Sequence, residues 1–443
     1  MFDLALPQTR TVRSALATAL LVGSALVGAA GPANATIVTN DPALVGLYGA
    51  QDPTNPQAVF RQSLAIIALK AAGRTPDPTA VIWLKNQQCP DGSFMGFAVD
   101  KACSTQGFDS PESNSTSIAA IALRAAGQTV ASDKAVGWLK TVQDASGGFE
   151  FQPGFGADAN STGLAISALL AAGADPSTFN GHNAYAGLGS LQADCSRPAT
   201  DVGAFLLFFA GNATADLYAT AQALPAAAHA SYPVDFPGAA AWLDGVPPTD
   251  CAGSGVQANG DATAAASWLT GLPNSDFGAS FDAVSARAFS IMGLAAAKVG
   301  ETRARALFAD MTSELNSVVV QGGADSPGRM ALYILAAHAV GEDPAFGSAN
   351  LVRRLEETLN VAPAPAPSAP STPTPSASTA TPTPTPGSAA LPASASSTGS
   401  AASTGTLANS GARGDLGWLA AGAVLLVVAG GMLVAVSRRR RSP

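Results

Sequence analysis

The chain has 443 residues, of which 47% are hydrophobic and only 12% charged, with 45 glycines and 31 prolines. That balance excludes a coiled coil, and it excludes disorder over most of the length. It also argues against a nucleic-acid binder, which needs clustered Lys and Arg to neutralise phosphates.

At the start, Arg10 and Arg13 precede an apolar run from Ala15 to Ala30, followed by Gly31-Pro32 and Ala33-Asn34-Ala35. A basic opening, a short apolar stretch and an A-x-A close predict a secretory signal over 1–35, cut after Ala35.

From 36 to 361 the sequence repeats itself. Ser63-Leu64-Ala65-Ile66-Ile67-Ala68-Leu69-Lys70-Ala71-Ala72-Gly73 returns as Ser117 to Gly127 and again as Gly163 to Gly173. Each copy reads as a helix apolar nearly all round, hence buried on every side, ended by a Gly suited to the left-handed cap. A second, more amphipathic helix carrying Trp-Leu is expected after each, at Trp83-Leu84, Trp138-Leu139 and Trp242-Leu243. Glycine turns follow at Gln88-Cys89-Pro90-Asp91-Gly92-Ser93-Phe94 and Gln143-Asp144-Ala145-Ser146-Gly147-Gly148-Phe149, and Gln192 continues the spacing. A helix pair about every 50 residues is the pattern of stacked αα units. Weaker copies run over 281–299 with 302–319 and 328–340 with 349–359, while 200–272 shows helical stretches at Leu217 to Leu224 and Ala262 to Leu272. About six pairs fit, and periodicity leaves open whether they form an open solenoid or close on themselves.

Gln88/Gly92/Phe94 and Gln143/Gly147/Phe149 resemble the QW motif of the terpenoid cyclase and prenyltransferase superfamily, with Phe where that motif ends in Trp. The superfamily includes squalene cyclases, prenyltransferase β-subunits, cobalamin carriers and thioester complement domains. The resemblance implies an all-α fold, an α/α toroid of about six helix pairs around a central cavity. It also makes cobalamin or another corrinoid a specific candidate ligand. In such repeats the Gln caps the outer helix and the aromatic stacks on it, which concerns fold rather than chemistry.

The catalytic signatures of the enzyme branches are missing. There is no Asp-x-Asp-Asp, no Gly-Cys-Gly-Glu-Gln and no G-x-S-x-G, and His182, His229 and His338 stand far from any cysteine at zinc-ligand spacing. No metal site is expected, since the four cysteines contain no C-x-x-C. Cys89, Cys103, Cys195 and Cys251 suggest two disulfides in an exported chain. Of three pairings, Cys89–Cys103 with Cys195–Cys251 is preferred, because each bond ties down one Gly-rich loop.

A repeated acid is the most informative local constellation. Glu112-Ser113-Asn114-Ser115-Thr116 and Asp158-Ala159-Asn160-Ser161-Thr162 occupy the same place in two repeats, just before a buried helix. One reading is helix capping, with Asn or Ser accepting N–H bonds and the acid complementing the dipole. The other is a ligand-binding rim of Asp109, Glu112, Asn114, Asp158, Asn160 and Asp201, suited to a polar or cationic ligand or to paired-carboxylate glycan chemistry.

The chain closes with an uncharged Pro/Ser/Thr/Ala segment over 362–406, expected to be an extended stalk. Leu407-Ala408-Asn409-Ser410-Gly411, an apolar span over 416–436 and a basic tail over 437–443 with Arg438 to Arg441 follow. The order of pentapeptide, membrane span and basic tail resembles the sorting signal of Gram-positive sortase substrates, with Ser410 in the place of the usual Thr. That resemblance implies transfer by a sortase to peptidoglycan; without cleavage the protein is a membrane-anchored ectodomain. Without both processed ends, 16 Lys and Arg face 29 Asp and Glu, a net charge of −13. The expectation is a cell-surface module that binds a small metabolite or a glycan, with an enzyme acting in the toroid cavity, cyclase-like or glycan-cleaving, as the alternative.

Overall fold

In the computed structural model of the protein the described residues are 37–363, apart from 51–57, 97–102, 104–109, 210–211, 254, 257–259, 281, 322 and 345–349. The signal, nearly all of the stalk, the sorting motif, the span and the tail lie outside them. Among the described residues no helix is long and apolar enough to cross a membrane.

The helices come as six pairs. In chain order they are α1 (Ala58–Ala71) with α2 (Pro78–Asn86), α3 (Ser113–Ala125) with α4 (Thr129–Leu139), and α5 (Ala159–Ala172) with α6 (Ala184–Ser190). Next come α7 (Leu217–Ala227) with α8 (Ala262–Gly271), the short α9 (Asn274–Ala279), α10 (Ala283–Ala297) with α11 (Glu301–Ser313), the short α12 (Leu315–Val319), and α13 (Pro327–Val340) with α14 (Leu351–Glu357). The first member of each pair packs on the first member of the next, and α13 packs back on α1, so the six inner helices form a closed cycle. The second members form an outer layer, with α2, α4, α6 and α8 each touching two consecutive inner helices. Inner-helix sequences explain this: α1, α3, α5 and α10 are buried over most of their residues, as helices apolar on every side must be.

The fold is mostly rather than wholly α. Three two-stranded sheets are present, from β1 (Ile37–Val38) with β6 (Asn360–Val361), β2 (Leu206–Phe209) with β3 (Asn212–Ala215), and β4 (Val320–Gln321) with β5 (Ala324–Asp325). The expected Trp242-Leu243 helix is also absent. Ala239–Ala241 makes one 3-10 turn, and Leu243 pairs instead with Val299. Pro237, Gly238 at φ 86° and Pro247-Pro248 surround it, leaving too few residues to propagate a helix. The outer helix of that pair is α8, with its own Trp268-Leu269.

One clamp joins successive pairs and recurs three times. Gln88, Gln143 and Gln192 end an outer helix and pair across a turn with Phe94, Phe149 and Phe205. Each Phe is buried, and its N–H donates to the hydroxyl of Thr116 (3.0 Å), Thr162 (2.9 Å) or Thr220 (2.9 Å) on the next inner helix. The glutamine Nε2 donates back to the turn carbonyl of Gly92, Gly147 or Gly203, and Gln88 and Gln192 reach on to the next outer helix at the carbonyls of Ala131 and Asp261. The glutamine thus ties two pairs together. Gly147 shows why the turn needs glycine: its φ is +93°, and a Cβ there would lie 2.1 Å from the carbonyl oxygen of Asn183.

The same clamp closes the cycle with pieces from both ends of the chain. Gly46-Leu47-Tyr48 supplies the glycine and the aromatic, and Leu359, just after α14, pairs with Tyr48 in place of a glutamine. Tyr48 N–H donates to Gln62 Oε1 at 2.8 Å, and Asn360 Nδ2 donates to the carbonyls of Leu47 and Gly49 at 2.7 and 2.8 Å. β1 adds a parallel pair to β6 beside this seam.

The axis of the cycle is filled. Because Thr116, Thr162 and Thr220 face the clamps, residues two positions away on either side point roughly to the opposite face, inward. The second inward layer, including Ile118, Leu164 and Gln222, is buried. At the C-terminal end of the inner helices, the chain leaving α7 crosses the axis as a strap over 229–236. Ser231 Oγ donates to the carbonyl of Ser167 on α5, and the Tyr232 ring meets Phe289 on α10 edge-on. Asp235 then pairs with His338 on α13, three places round the cycle from α5, at 2.9 Å.

Gly147→Ala should cost about 3 kcal/mol, since a left-handed residue and a backbone overlap are imposed together. Denaturant unfolding of the purified variant measures this, and a loss under about 1 kcal/mol would mean that the turn is not fixed by Asn183.

Candidate functional site

The N-terminal ends of the inner helices gather the repeated acids. Glu112 caps α3 by accepting the N–H of Asn114 on Oε2 and of Ser115 on Oε1. Asp158 caps α5 by accepting the N–H and hydroxyl of Ser161, at 2.8 and 2.6 Å. The acid itself is the cap acceptor, not the Asn or Ser beside it, and its charge meets the positive end of the helix dipole.

Two further acids belong to this set and were not singled out from the sequence. Asp216 caps α7 through the N–H of Ala219 at 2.7 Å, and Asp282 caps α10 through the N–H and hydroxyl of Ser285. Asp201, expected on the rim, is not one of them. It lies in the turn between Gln192 and Phe205, where its N–H donates to the carbonyl of Pro198 at 2.8 Å. The signal that finds the right residue is an acid four positions before the clamp threonine: Glu112 with Thr116, Asp158 with Thr162, Asp216 with Thr220. Asp109 lies outside the described residues.

Asn114, Asn160 and Tyr218 occupy equivalent positions two residues after their caps, half-buried and directed inward. Asn160 Nδ2 donates to Gln222 Oε1 at 2.9 Å, and Gln222 Nε2 donates to Tyr218 Oη at 3.1 Å, linking α5 to α7. Asn114 Oδ1 and Tyr232 Oη are buried without a hydrogen-bond partner. The Tyr218 and Tyr232 rings both meet Phe289 edge-on, so the strap carries its phenol toward the floor beneath Tyr218. Unpaired buried acceptors and hydroxyls of this kind call for water or a ligand group.

Burial sets the protonation of the caps. It pushes Glu112 up to about 7, against the lowering effect of the helix N–H groups, with Asp158 adding a small further rise. Asp158 and Asp216 are raised for the same first reason, although Asp158 keeps some surface exposure. Burial likewise raises Tyr218 and Tyr232, which stay protonated donors.

At this end of the cycle each clamp aromatic is joined to the following cap acid by a connection, 95–111, 150–157 or 206–215, the first described only at 95–96, 103 and 110–111. Each is closed at its base where the acid's N–H donates to the aromatic's carbonyl, Glu112 to Phe94 at 3.1 Å, Asp158 to Phe149 at 3.2 Å and Asp216 to Phe205 at 3.2 Å. Cys89–Cys103 bonds the first loop to its clamp turn, and Cys195–Cys251 bonds the third clamp turn to the α7–α8 connection. Ser113 N–H donates to the carbonyl of Phe151, and Gln152 Nε2 to that of Ser110, so the first two loops brace each other. The β2–β3 hairpin is the third loop. Phe155 and Phe208 are 59% and 49% exposed on the second and third, and the Phe155 ring meets that of Phe151 edge-on.

No protein-family model matches the chain, and no curated protein matches it. Among the described residues no group of three or more His, Cys, Asp or Glu side chains could hold a metal ion.

Glu112 gives a pH prediction whose sign is opposite to that of an ordinary paired acid. Its folded pKa of about 7 exceeds the unfolded value of 4.5, so between these values the native state binds the extra proton and stability falls as pH rises. The loss amounts to about 3 kcal/mol by pH 8. Thermal melts should show the wild type more stable at pH 5 than at pH 8 and Glu112→Gln with a smaller difference; equal pH dependence in the two would place the titration elsewhere.

Proposed function

We propose that the protein is an exported, surface-anchored binding module of the α/α-toroid type, and that it takes a polar, glycan-class ligand on the loop-bearing end of its helix cycle. The observation that carries this reading is that the second and third connections between clamp aromatic and cap acid bear exposed phenylalanines at the end of the helix cycle where Asn114, Asn160 and Tyr218 stand half-buried. Insertions that fall on one face of a repeat scaffold are where such scaffolds bind. Amides and a phenol supply donors and acceptors for hydroxyls, while the Phe155 and Phe208 rings offer flat apolar faces.

Binding rather than catalysis is favoured by how the acids are used. Both oxygens of Glu112, Asp158 and Asp282 already accept helix-cap hydrogen bonds, so they are committed to positioning the inner helices. The corrinoid and cyclase readings call for room along the axis, and the buried inward layer and the 229–236 strap occupy that space.

The address rests on sequence: the signal over 1–35, the stalk over 362–406, the Leu407–Gly411 motif and the 416–436 span. Two disulfides among the described residues suit an oxidising compartment. In this reading a sortase transfers the chain to peptidoglycan, and the stalk holds the helix cycle away from the wall.

Calorimetric titration of the intact chain with soluble cell-wall polysaccharide and peptidoglycan fragments tests the proposal. Phe155→Ala and Phe208→Ala should each weaken binding about tenfold, as loss of one aromatic platform does, with unchanged melting temperature. No binding to any of these glycans, or wild-type affinity in both variants, would overturn it.

A further inference from the structure

A second recess lies at the other end of the helix cycle. It has a volume of about 640 Å³ and is lined by Leu170, Asp175, Ser177, Asn183, Tyr185 and His229 among others. That volume is in the range of small-molecule sites, which run roughly 300–1,000 Å³. Apart from Asn183, whose carbonyl backs the Gly147 turn, none of these residues takes part in a clamp or in the Phe155 and Phe208 connections, so the recess is distinct from the glycan reading above.

Its walls have a definite chemistry. The Tyr185 and His229 rings lie 4.3 Å apart between centroids, tilted by 42°, and make one aromatic wall. His229 is held there by an unusual backbone: it follows the end of α7 with φ +57°, where the strap leaves the helix. Asp175 supplies the opposite feature, a carboxylate kept ionised by hydrogen bonds from the hydroxyl and N–H of Ser177. Asp175 also acts on Tyr185, whose phenol is raised first by burial and then by the Asp175 charge. α5 ends at Gly173 in the recess wall, and Arg124, which is not among the lining residues, already donates to the carbonyl of Ala172 at that helix end, at 3.5 Å. No Lys or Arg lines it.

A carboxylate and two aromatic rings, with no Lys or Arg in the lining, favour one kind of guest. We infer that this recess binds a small organic cation, a primary or quaternary ammonium group held between the Tyr185–His229 wall and Asp175. The Tyr185 ring attracts the cation through its quadrupole, His229 adds a second flat wall, and the Asp175 carboxylate supplies the charge. An anion meets repulsion from that carboxylate, and a neutral guest gains only the apolar contact with Leu170 and the rings.

The probe is choline, compared with its uncharged isostere 3,3-dimethylbutanol, titrated into the full chain in a nonionic detergent and followed by calorimetry. Choline should bind at least tenfold more tightly than the isostere. Asp175→Asn should cost roughly tenfold, and His229→Asn, at an exposed position whose backbone Asn tolerates, about threefold to tenfold. Melting curves and far-ultraviolet circular dichroism show that the variants remain folded. Equal affinity for choline and the isostere, or choline binding unaltered by Asp175→Asn and His229→Asn, overturns the inference, as does no choline binding to a protein that melts normally. Because the glycan experiment reads Phe155 and Phe208 at the opposite end, either proposal can fail while the other stands.

Discussion

The structure depends on one small clamp. A buried aromatic gives its N–H to a threonine hydroxyl on the next inner helix and its carbonyl to the N–H of the cap acid, four residues before that threonine. A turn glycine lets the neighbouring outer helix approach, and a glutamine ties the turn to it. Each hydrogen bond contributes only about 1 kcal/mol net. Their joint effect is geometric: four of the six junctions between successive pairs are fixed with the same orientation, and helix packing at the other two completes the cycle. The last clamp is assembled from the two ends of the folded region, which makes the closure a property of the whole chain rather than of any repeat.

The clamp also decides where variation is tolerated. The stretch between aromatic and acid is closed at its base by one backbone bond, so its length is free to change without disturbing the helices. Three successive repeats use that freedom, with loops of different length and content, and all emerge at the same end. At the opposite end the α7–α8 connection uses a similar freedom differently, crossing the axis and tying α5 to α13 before it returns to the outer layer. With inward side chains and the strap occupying the axis, what the helix cycle leaves exposed lies at its two ends and around its outer layer.

Much of this was legible in the sequence, and the failures have physical causes. The buried inner helices α1, α3 and α5 announce themselves because a helix enclosed on all sides must be apolar on all sides. The first two clamps are visible because glutamine, glycine and phenylalanine stand at fixed spacing. The third is obscured by extra residues between Gln192 and Gly203, which carry Cys195 and Asp201 and made Asp201 look like a rim acid. The fourth is split between residues 46–48 and 359–360, and no local pattern links positions so far apart. Trp242-Leu243 imitates an outer helix because composition repeats where the backbone cannot, beside Pro237 and Gly238. Asp216 and Asp282 were missed because the neighbouring residues differ from those after Glu112 and Asp158; the spacing to the clamp, not the local motif, identifies the former.

Hydrogen exchange tests the clamp directly. The amides of Phe94, Phe149 and Phe205 should exchange only on global unfolding, since each is buried and bonded across two pairs, while amides at 153–156 exchange orders of magnitude faster. If Phe149 and Phe205 exchange as fast as the loop that follows Phe149, the clamp does not hold the helix cycle together, and the account of the fold fails with it.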